Sequence, residues 1–447
     1  MKEKRLRQFA LLALLCCGML HCSAQKQWTL EDCIHYALEN NIKIKKSSLQ
    51  KLSTQEDMWQ SKAALLPSLN FNTSHNIAYR PWPESGHSTI ANGSSVDKVY
   101  YNGSYNVNAN WTVWNGNRNK NTIKANQLAV QQAALDSATT ASTIQEQIAQ
   151  LYVQILYSAE AINVNRQSLE TSKLNEERGQ SMFRVGKMSK ADVAQLTAQR
   201  AQDEYNIVAA ESNLRNYKRQ LKQLLQITSD EPFEVAIPTT TDEMALQEIP
   251  SLNDVYTKAL ELRPEIKSAQ LAIESSNVNI KIAKGQQLPT IGLAAGFVTN
   301  TTSINSKSWG TQLKTNFDAS AGVTVSVPIF DNRAAKTAIN KARLSYQTSL
   351  LDLKDKETIL YATIENYWLE AVNNQNKLKA AMVSVAGQTE SYKLLSEQFR
   401  LGLKNIVELM TGKTHLLTAQ QNELQSKYLA ILNINLLKFY QSGILKN

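Results

Sequence analysis

Side chains along residues 101–113 alternate without a break. Tyr101, Gly103, Tyr105, Val107, Ala109, Trp111 and Val113 take the odd positions, and Asn102, Ser104, Asn106, Asn108, Asn110 and Thr112 the even ones. The same period recurs at 317–329, where Phe317, Val323, Val325, Val327 and Ile329 oppose Asp318, Ser320, Thr324 and Ser326. It recurs again at 69–79, with Leu69, Phe71, Ile77 and Tyr79 against Asn70, Asn72, Ser74 and Asn76. A fourth stretch, 291–300, alternates less cleanly. A period of two predicts strands with one apolar and one polar face. A half-buried soluble sheet alternates in the same way. Strands longer than the usual five or six residues and an unbroken Asn/Ser/Thr face favour membrane-barrel strands, apolar toward lipid and polar toward a lumen.

Elsewhere the apolar period is that of a helix. Ile144, Ile148, Leu151, Ile155, Ala159 and Ile162 recur at steps of three and four, as do Ile339, Ala342, Tyr346, Leu350 and Leu353, then Leu360, Ile364, Tyr367 and Ala371. All nine prolines fall between residues 67 and 328, leaving 84–231 and 329–447 without any. Proline inside a helix costs about 3 kcal/mol, so these blocks predict very long helices. Each block reads as a helix of about 65 residues, roughly 100 Å at the α-helical rise, then a short turn with a glycine and a returning helix.

The two blocks belong to a duplication. Leu30, Asp32, Ala37, Leu38 and Glu39 recur as Leu252, Asp254, Ala259, Leu260 and Glu261 at an offset of 222, which also carries Pro67 onto Pro289. Further along the offset is 216: Trp114 maps to Phe330, Tyr152 to Trp368, Phe183-Arg184-Val185-Gly186 to Phe399-Arg400-Leu401-Gly402, and Leu221 to Leu437. One shift of six residues between 67 and 114 keeps both halves in register. The first repeat is expected at 25–227, with an opening helix at about 29–66, strands at about 68–80 and 100–114, and a helical hairpin at about 118–226. A connector with three prolines and little helix follows at 228–250. The second repeat is expected at 251–447, with a helix at about 252–287 restarted at Pro264, strands at about 290–300 and 317–329, and a hairpin at about 332–441. Four strands cannot close a barrel, and open edges are not tolerated in lipid, so a membrane-spanning chain of this kind must oligomerise. Residues 80–99 and 301–316 would then be outward loops.

Composition narrows the function. Lys2, Lys4, Arg5 and Arg7 precede a twelve-residue apolar run from Phe9 to Leu20, and Cys22-Ser23-Ala24 places small residues before Gln25. That predicts an export signal cleaved after Ala24, and the run is too short to span a bilayer. His21, Cys16 and Leu15 precede the three leader cysteines, which disfavours a lipid anchor. Losing residues 1–24 lowers the formal charge from +9 to +6, spread without a dense basic block, so no nucleic-acid footprint is expected. Only Cys33 follows the leader, and the five histidines are scattered, which argues against disulfides and metal sites. No nucleophile elbow or phosphate loop suggests an enzyme, and no cofactor is expected.

Ala259-Leu260 with Arg263-Pro264-Glu265, Leu-Pro-Ser at 66–68, Leu-Pro-Thr at 288–290 and Val327-Pro328-Ile329-Phe330-Asp331 complete the set, together with the run from Phe399 to Leu409. With the export signal and duplicated halves, these motifs resemble the TolC-like outer membrane efflux proteins over nearly all the mature chain. The resemblance implies a mainly α fold with a membrane β-barrel part. Three copies would form a twelve-stranded β-barrel in the outer membrane, continuous with a twelve-helix periplasmic tube. It implies a passive exit duct of a tripartite efflux or secretion system, with a periplasmic adaptor protein and an inner-membrane transporter as partners. The adaptor would dock on the hairpin tips, Val185, Gly186, Lys187 and Met188 with Leu401, Gly402 and Leu403. An acidic lumenal ring maps to Glu408, while the next such position holds uncharged Thr411. Contacts that close the aperture map to Phe399 and Lys404, and Lys404 could pair with Asp192. A type I protein secretion duct is the alternative within this class, and a secreted or periplasmic coiled-coil structural protein the alternative outside it.

Overall fold

The structure, a computed structural model, describes residues 27–81, 98–229 and 233–445. The expected export signal and most of the expected loop at 80–99 lie outside the described residues. In chain order the elements are β1 (Gln27–Trp28), α1 (Leu30–Asn40), α2 (Ile42–Ala63), β2 (Ser68–Tyr79), β3 (Val99–Trp114), α3 (Arg118–Arg184) and α4 (Lys190–Leu225). There follow β4 (Glu234–Val235), α5 (Asp242–Ala245), α6 (Leu252–Leu262), α7 (Pro264–Lys284), β5 (Thr290–Thr302), α8 (Trp309–Thr315), β6 (Asp318–Ser326), α9 (Ala334–Arg400) and α10 (Ile406–Ser442). The chain divides into a strand unit, Leu49–Leu135 with Lys267–Asp355, and a helix unit, Met1–Ser48, Asp136–Ile266 and Lys356–Asn447.

In the strand unit, β2, β3, β5 and β6 form one antiparallel sheet in that order. The alternation sets the register. Phe71 pairs with Val107, Val107 with Phe297 and Phe297 with Ala319, all on the apolar face. Asn70 pairs with Asn108 and Asn72 with Asn106 on the polar face, where the Ser74 and Ser104 hydroxyls meet at 2.8 Å. β6 ends at Ser326 rather than near 329, because Pro328 has no N–H to extend the ladder. The segment expected as a plain loop at 301–316 contains α8, capped by the Ser308 hydroxyl accepting from the Thr311 amide at 3.4 Å.

In the helix unit, Cys33 and Ala37 of α1, Ile144, Ile148 and Tyr152 of α3, Leu221 and Leu225 of α4, and Tyr428, Leu432 and Leu436 of α10 share one core. β1 pairs in parallel with β4, and the Tyr152 hydroxyl donates to the Ala236 carbonyl at 2.6 Å, which fastens the connector to that core.

The opening helix expected at 29–66 is broken at Asn41, whose backbone is extended (φ −64°, ψ 127°). The Asn41 amide donates to the Leu224 carbonyl at 2.8 Å, and its oxygen accepts from the Lys43 N–H at 2.8 Å. At the position 222 residues on, Arg263 has the same backbone (φ −67°, ψ 126°) and breaks the second repeat identically. The repeat is equally close further on: α3 and α9 have 67 residues each, both shifted by 216.

Candidate functional site: hairpin tips and a two-faced sheet

Both hairpin turns are built from the same local signals. After α3, the Gly186 N–H donates to the Phe183 carbonyl at 2.9 Å and the Lys187 N–H to the Met182 carbonyl at 2.8 Å. After α9, Gly402 donates to Phe399 at 3.0 Å and Leu403 to Gln398 at 2.9 Å. This is the Schellman closure of a helix, and it requires a left-handed residue. Gly186 and Gly402 supply it, with φ of +75° and +76°. Each returning helix then opens with a capping box. Ser189 accepts from the Asp192 N–H at 3.1 Å while Asp192 accepts from the Ser189 N–H at 3.2 Å. Asn405 accepts from the Glu408 N–H at 2.9 Å while Glu408 accepts from the Asn405 N–H at 3.2 Å. Asp192 and Glu408 are therefore the same position of the repeat, the third residue of a returning helix, where a carboxylate also complements the helix dipole.

The expected pair between Lys404 and Asp192 is not formed within the chain. The Lys404 ammonium, in the turn before the Asn405 cap, instead donates at 2.5 Å to Glu408 four residues on in the first turn of α10, and Asp192 is engaged by Ser189. An i,i+4 partner costs less side-chain and backbone ordering than one on another hairpin. The Lys404 contact, with the Asn405 amide, holds the Glu408 carboxyl below its ordinary value.

Phe399 is placed in the protomer's own packing. It is 4% exposed and clusters with Leu196, Ile406 and Leu409, with Met182, Met188, Tyr392 and Met410 around them. Its repeat counterpart Phe183 is 45% exposed. Phe399 thus joins the two tips within one protomer through apolar burial. Val185, Leu401 and Leu403 remain exposed at the turns, whereas Met188 packs beneath them.

Above this cluster lies a buried polar group that sequence reasoning missed. Lys413 of α10 donates to Asp203 of α4 and to Ser172 of α3, and the Ser172 hydroxyl also donates to Asp203 at 2.6 Å. All three side chains are buried, and Gln199 adds a 3.0 Å hydrogen bond to Asp203. Burial pushes the Lys413 ammonium below its ordinary value, and Asp203 acts in the opposite direction. The signal was present in the helical period. Lys413 continues the buried stripe of Ile406 and Leu409, and Asp203 lies two turns from buried Leu196. Further cross-links tie the hairpins together: Asn175 donates to the Tyr392 hydroxyl at 3.1 Å, and Tyr428 donates to Glu160 at 2.6 Å.

The sheet is the second candidate element. Its polar face carries Asn70, Asn72, Asn76, Asn102, Asn106, Asn108 and Asn110 with Ser74, Ser104 and Ser320. Its apolar face exposes Leu69, Phe71, Ile77, Tyr79, Val323 and Val325. Aromatic rings mark both ends of that face, Tyr79 and Tyr101 at one and Trp111 at the other, with Tyr105 between them. The Trp111 indole donates to the Leu65 carbonyl at 2.8 Å. Within the four-stranded sheet, β2 and β6 are edges with no further strand beside them among the described residues. No described helix is long and apolar enough to cross a membrane.

Comparison with known proteins matches residues 33–225 and 255–439 to the family model described as outer membrane efflux protein. The outer membrane protein TolC of Vibrio cholerae serotype O1 is 21% identical over 405 residues, covering 91% of this chain and 88% of that protein. Among solved structures, the transmembrane channel protein CusC superposes with a TM-score of 0.79 at 16% identity, covering 92% of this chain and 91% of that one. The CmeC outer membrane channel of Campylobacter jejuni gives 0.78 at 17% identity, covering 93% and 86%.

Proposed function

Because the chain belongs to the outer membrane efflux protein family, we propose that three copies of it close into one channel that serves as the exit duct of a tripartite efflux system. The family is one of outer membrane channels rather than enzymes. Four strands from each copy make a twelve-stranded barrel, and α3, α4, α9 and α10 of each make a twelve-helix periplasmic tube.

The observation that carries this reading is the sheet. It has one apolar face, one face of Asn and Ser, and two open edges, β2 and β6. Lipid tolerates the apolar face but not the edges, so neighbouring copies must pair them. The spacing of the aromatic ends supports a membrane span. Tyr101 and Trp111 are ten residues apart on β3, which at the strand rise and a tilt near 40° is about 26 Å along the membrane normal. Exposed apolar residues on α9 within the helix unit, Ile359, Leu369, Val383 and Leu394, supply surface for neighbouring helices.

The tips are the periplasmic end of the duct. Exposed Val185, Gly186, Lys187, Leu401, Gly402 and Leu403 dock the adaptor, which couples the duct to an inner-membrane transporter. Glu408 lines the aperture, and Lys404 beside it tempers its charge. In a planar bilayer, Glu408→Ala should lower cation preference or alter conductance, and Lys404→Ala should raise cation preference. Unchanged conductance and selectivity in both variants would remove this pair from the aperture.

A further inference from the structure

The short helix α8 interrupts a polar loop. Its location is defined by two contacts on the apolar face of the sheet. The Thr299 hydroxyl donates to the Leu313 carbonyl at 2.8 Å, and the Trp309 ring meets Tyr105 edge-on with centroids 6.2 Å apart. Tyr105 and Thr299 are directly paired in the ladder, so α8 lies on the same side as Phe71, Val107 and Phe297. That rung is near the end of β5 and four residues inward of Tyr101 on β3, next to the stacked Phe297 and Phe317 rings.

The helix is held firmly there. Gln312 is 4% exposed; its amide nitrogen donates toward the carbonyls of Thr302, Asn305 and Lys307 at 3.0, 3.2 and 2.7 Å, and its oxygen accepts from the Thr302 N–H at 2.8 Å. The Asn316 amide adds a 2.6 Å bond to the Asn300 carbonyl. A loop with no task at this surface needs no such clamp. What the clamp presents is Trp309, 56% exposed, between Lys307 and Lys314, which are both exposed. Residues 300–317 contain those two lysines and no Asp or Glu.

We propose that α8 is a headgroup clasp: Lys307 and Lys314 bind the phosphates of anionic lipid in the outer leaflet, with Trp309 seated at the acyl boundary. An exposed indole flanked by ammonium groups, toward the Tyr101 end of a lipid-facing surface, matches the layered polarity of that interface. The charge is complementary to a phosphorylated lipid and has no counterpart in a neutral one. The inference rests on the barrel reading, because it takes the apolar face of the sheet to meet lipid.

Native mass spectrometry of the full assembly, released from membranes in detergent and offered bisphosphorylated lipid A or its dephosphorylated form, tests it. The wild-type assembly should retain the phosphorylated lipid and not the dephosphorylated one, and excess inorganic phosphate should not displace it. The double variant Lys307→Gln/Lys314→Gln should assemble normally but lose retention roughly tenfold or more, and Trp309→Ala should weaken it with both lysines present. Equal retention by the assembled double variant, equal retention of both lipids, or displacement by inorganic phosphate would overturn the clasp while leaving the channel standing. A wild-type chain that forms no assembly in membranes overturns the channel reading itself, and the clasp with it.

Discussion

The returning helices α4 and α10 start from the same capping box, follow the same turn and have 36 and 37 residues, yet they occupy different environments. Four residues of α4 are buried against seventeen of α10, so α10 is the internal helix of its unit and α4 an outer one. Equivalent positions show how this arose. Leu221 and Leu437 are both fully buried, but exposed Val208 corresponds to buried Leu424, and exposed Phe183 to buried Phe399. Thr197, which donates to Glu176 at 2.7 Å, corresponds to the buried Lys413. The duplication kept backbone punctuation (caps, glycine turns and the break at Asn41 and Arg263) while the side-chain faces diverged. Punctuation is local and satisfies the same orphan helix-end groups wherever it occurs. A face must match whatever it packs against.

The sharpest way to break this comparison is to disturb the polar group that only one arrangement of the hairpins can form. Lys413→Met leaves Asp203 buried without its cation and should cost about 3–5 kcal/mol. Adding Asp203→Leu should restore most of that loss, read as the denaturant midpoint of the detergent-solubilised protein. Next in size, Leu424→Ala should cost about 2–5 kcal/mol. Its counterpart Val208→Ala should change the unassembled chain by no more than about 0.5 kcal/mol. A larger effect of Val208→Ala on the assembly than on the chain would identify α4 as a face covered by a neighbouring copy. Gly186→Ala and Gly402→Ala should each cost about 1–2 kcal/mol, because a left-handed backbone carries a Cβ penalty at both turns, while the added Cβ itself would meet no atom within 4 Å at either. Unequal losses would show that the two tips are not the same structure.

The smallest expected effect depends on pH. The folded Glu408 carboxyl lies below its ordinary value of 4.5, so its contribution is complete above that value and fades as pH falls through the lower folded one. The protection factor of amides in the first turn of α10, taken against the intrinsic exchange rate at each pH, should therefore fall on acidification into the carboxylate range. Glu408→Gln should flatten that response.

Strands and long helices were legible because each rests on a period repeated over many residues. The alternation at 69–79 and 101–113 marks β2 and β3 nearly to the residue. What could not be read depends on distant partners or on brief signals. The break at Asn41 is fixed by a carbonyl 183 residues away. α8 has seven residues inside a polar stretch, too few for a period to register. At the tips, glycine and cap residues were visible in the sequence. The choice of Glu408 over Asp192 by Lys404, and the burial of Phe399 but not Phe183, follow from how the hairpins pack. Lys413 and Asp203 were detectable as charges on apolar stripes, though their pairing was not.

The central claim is that the open edges β2 and β6 are closed by further copies of the same chain. The mass of the mature protein extracted in detergent from the outer membrane fraction tests it directly. The account predicts a mass of three copies in that fraction. A water-soluble monomer would contradict it.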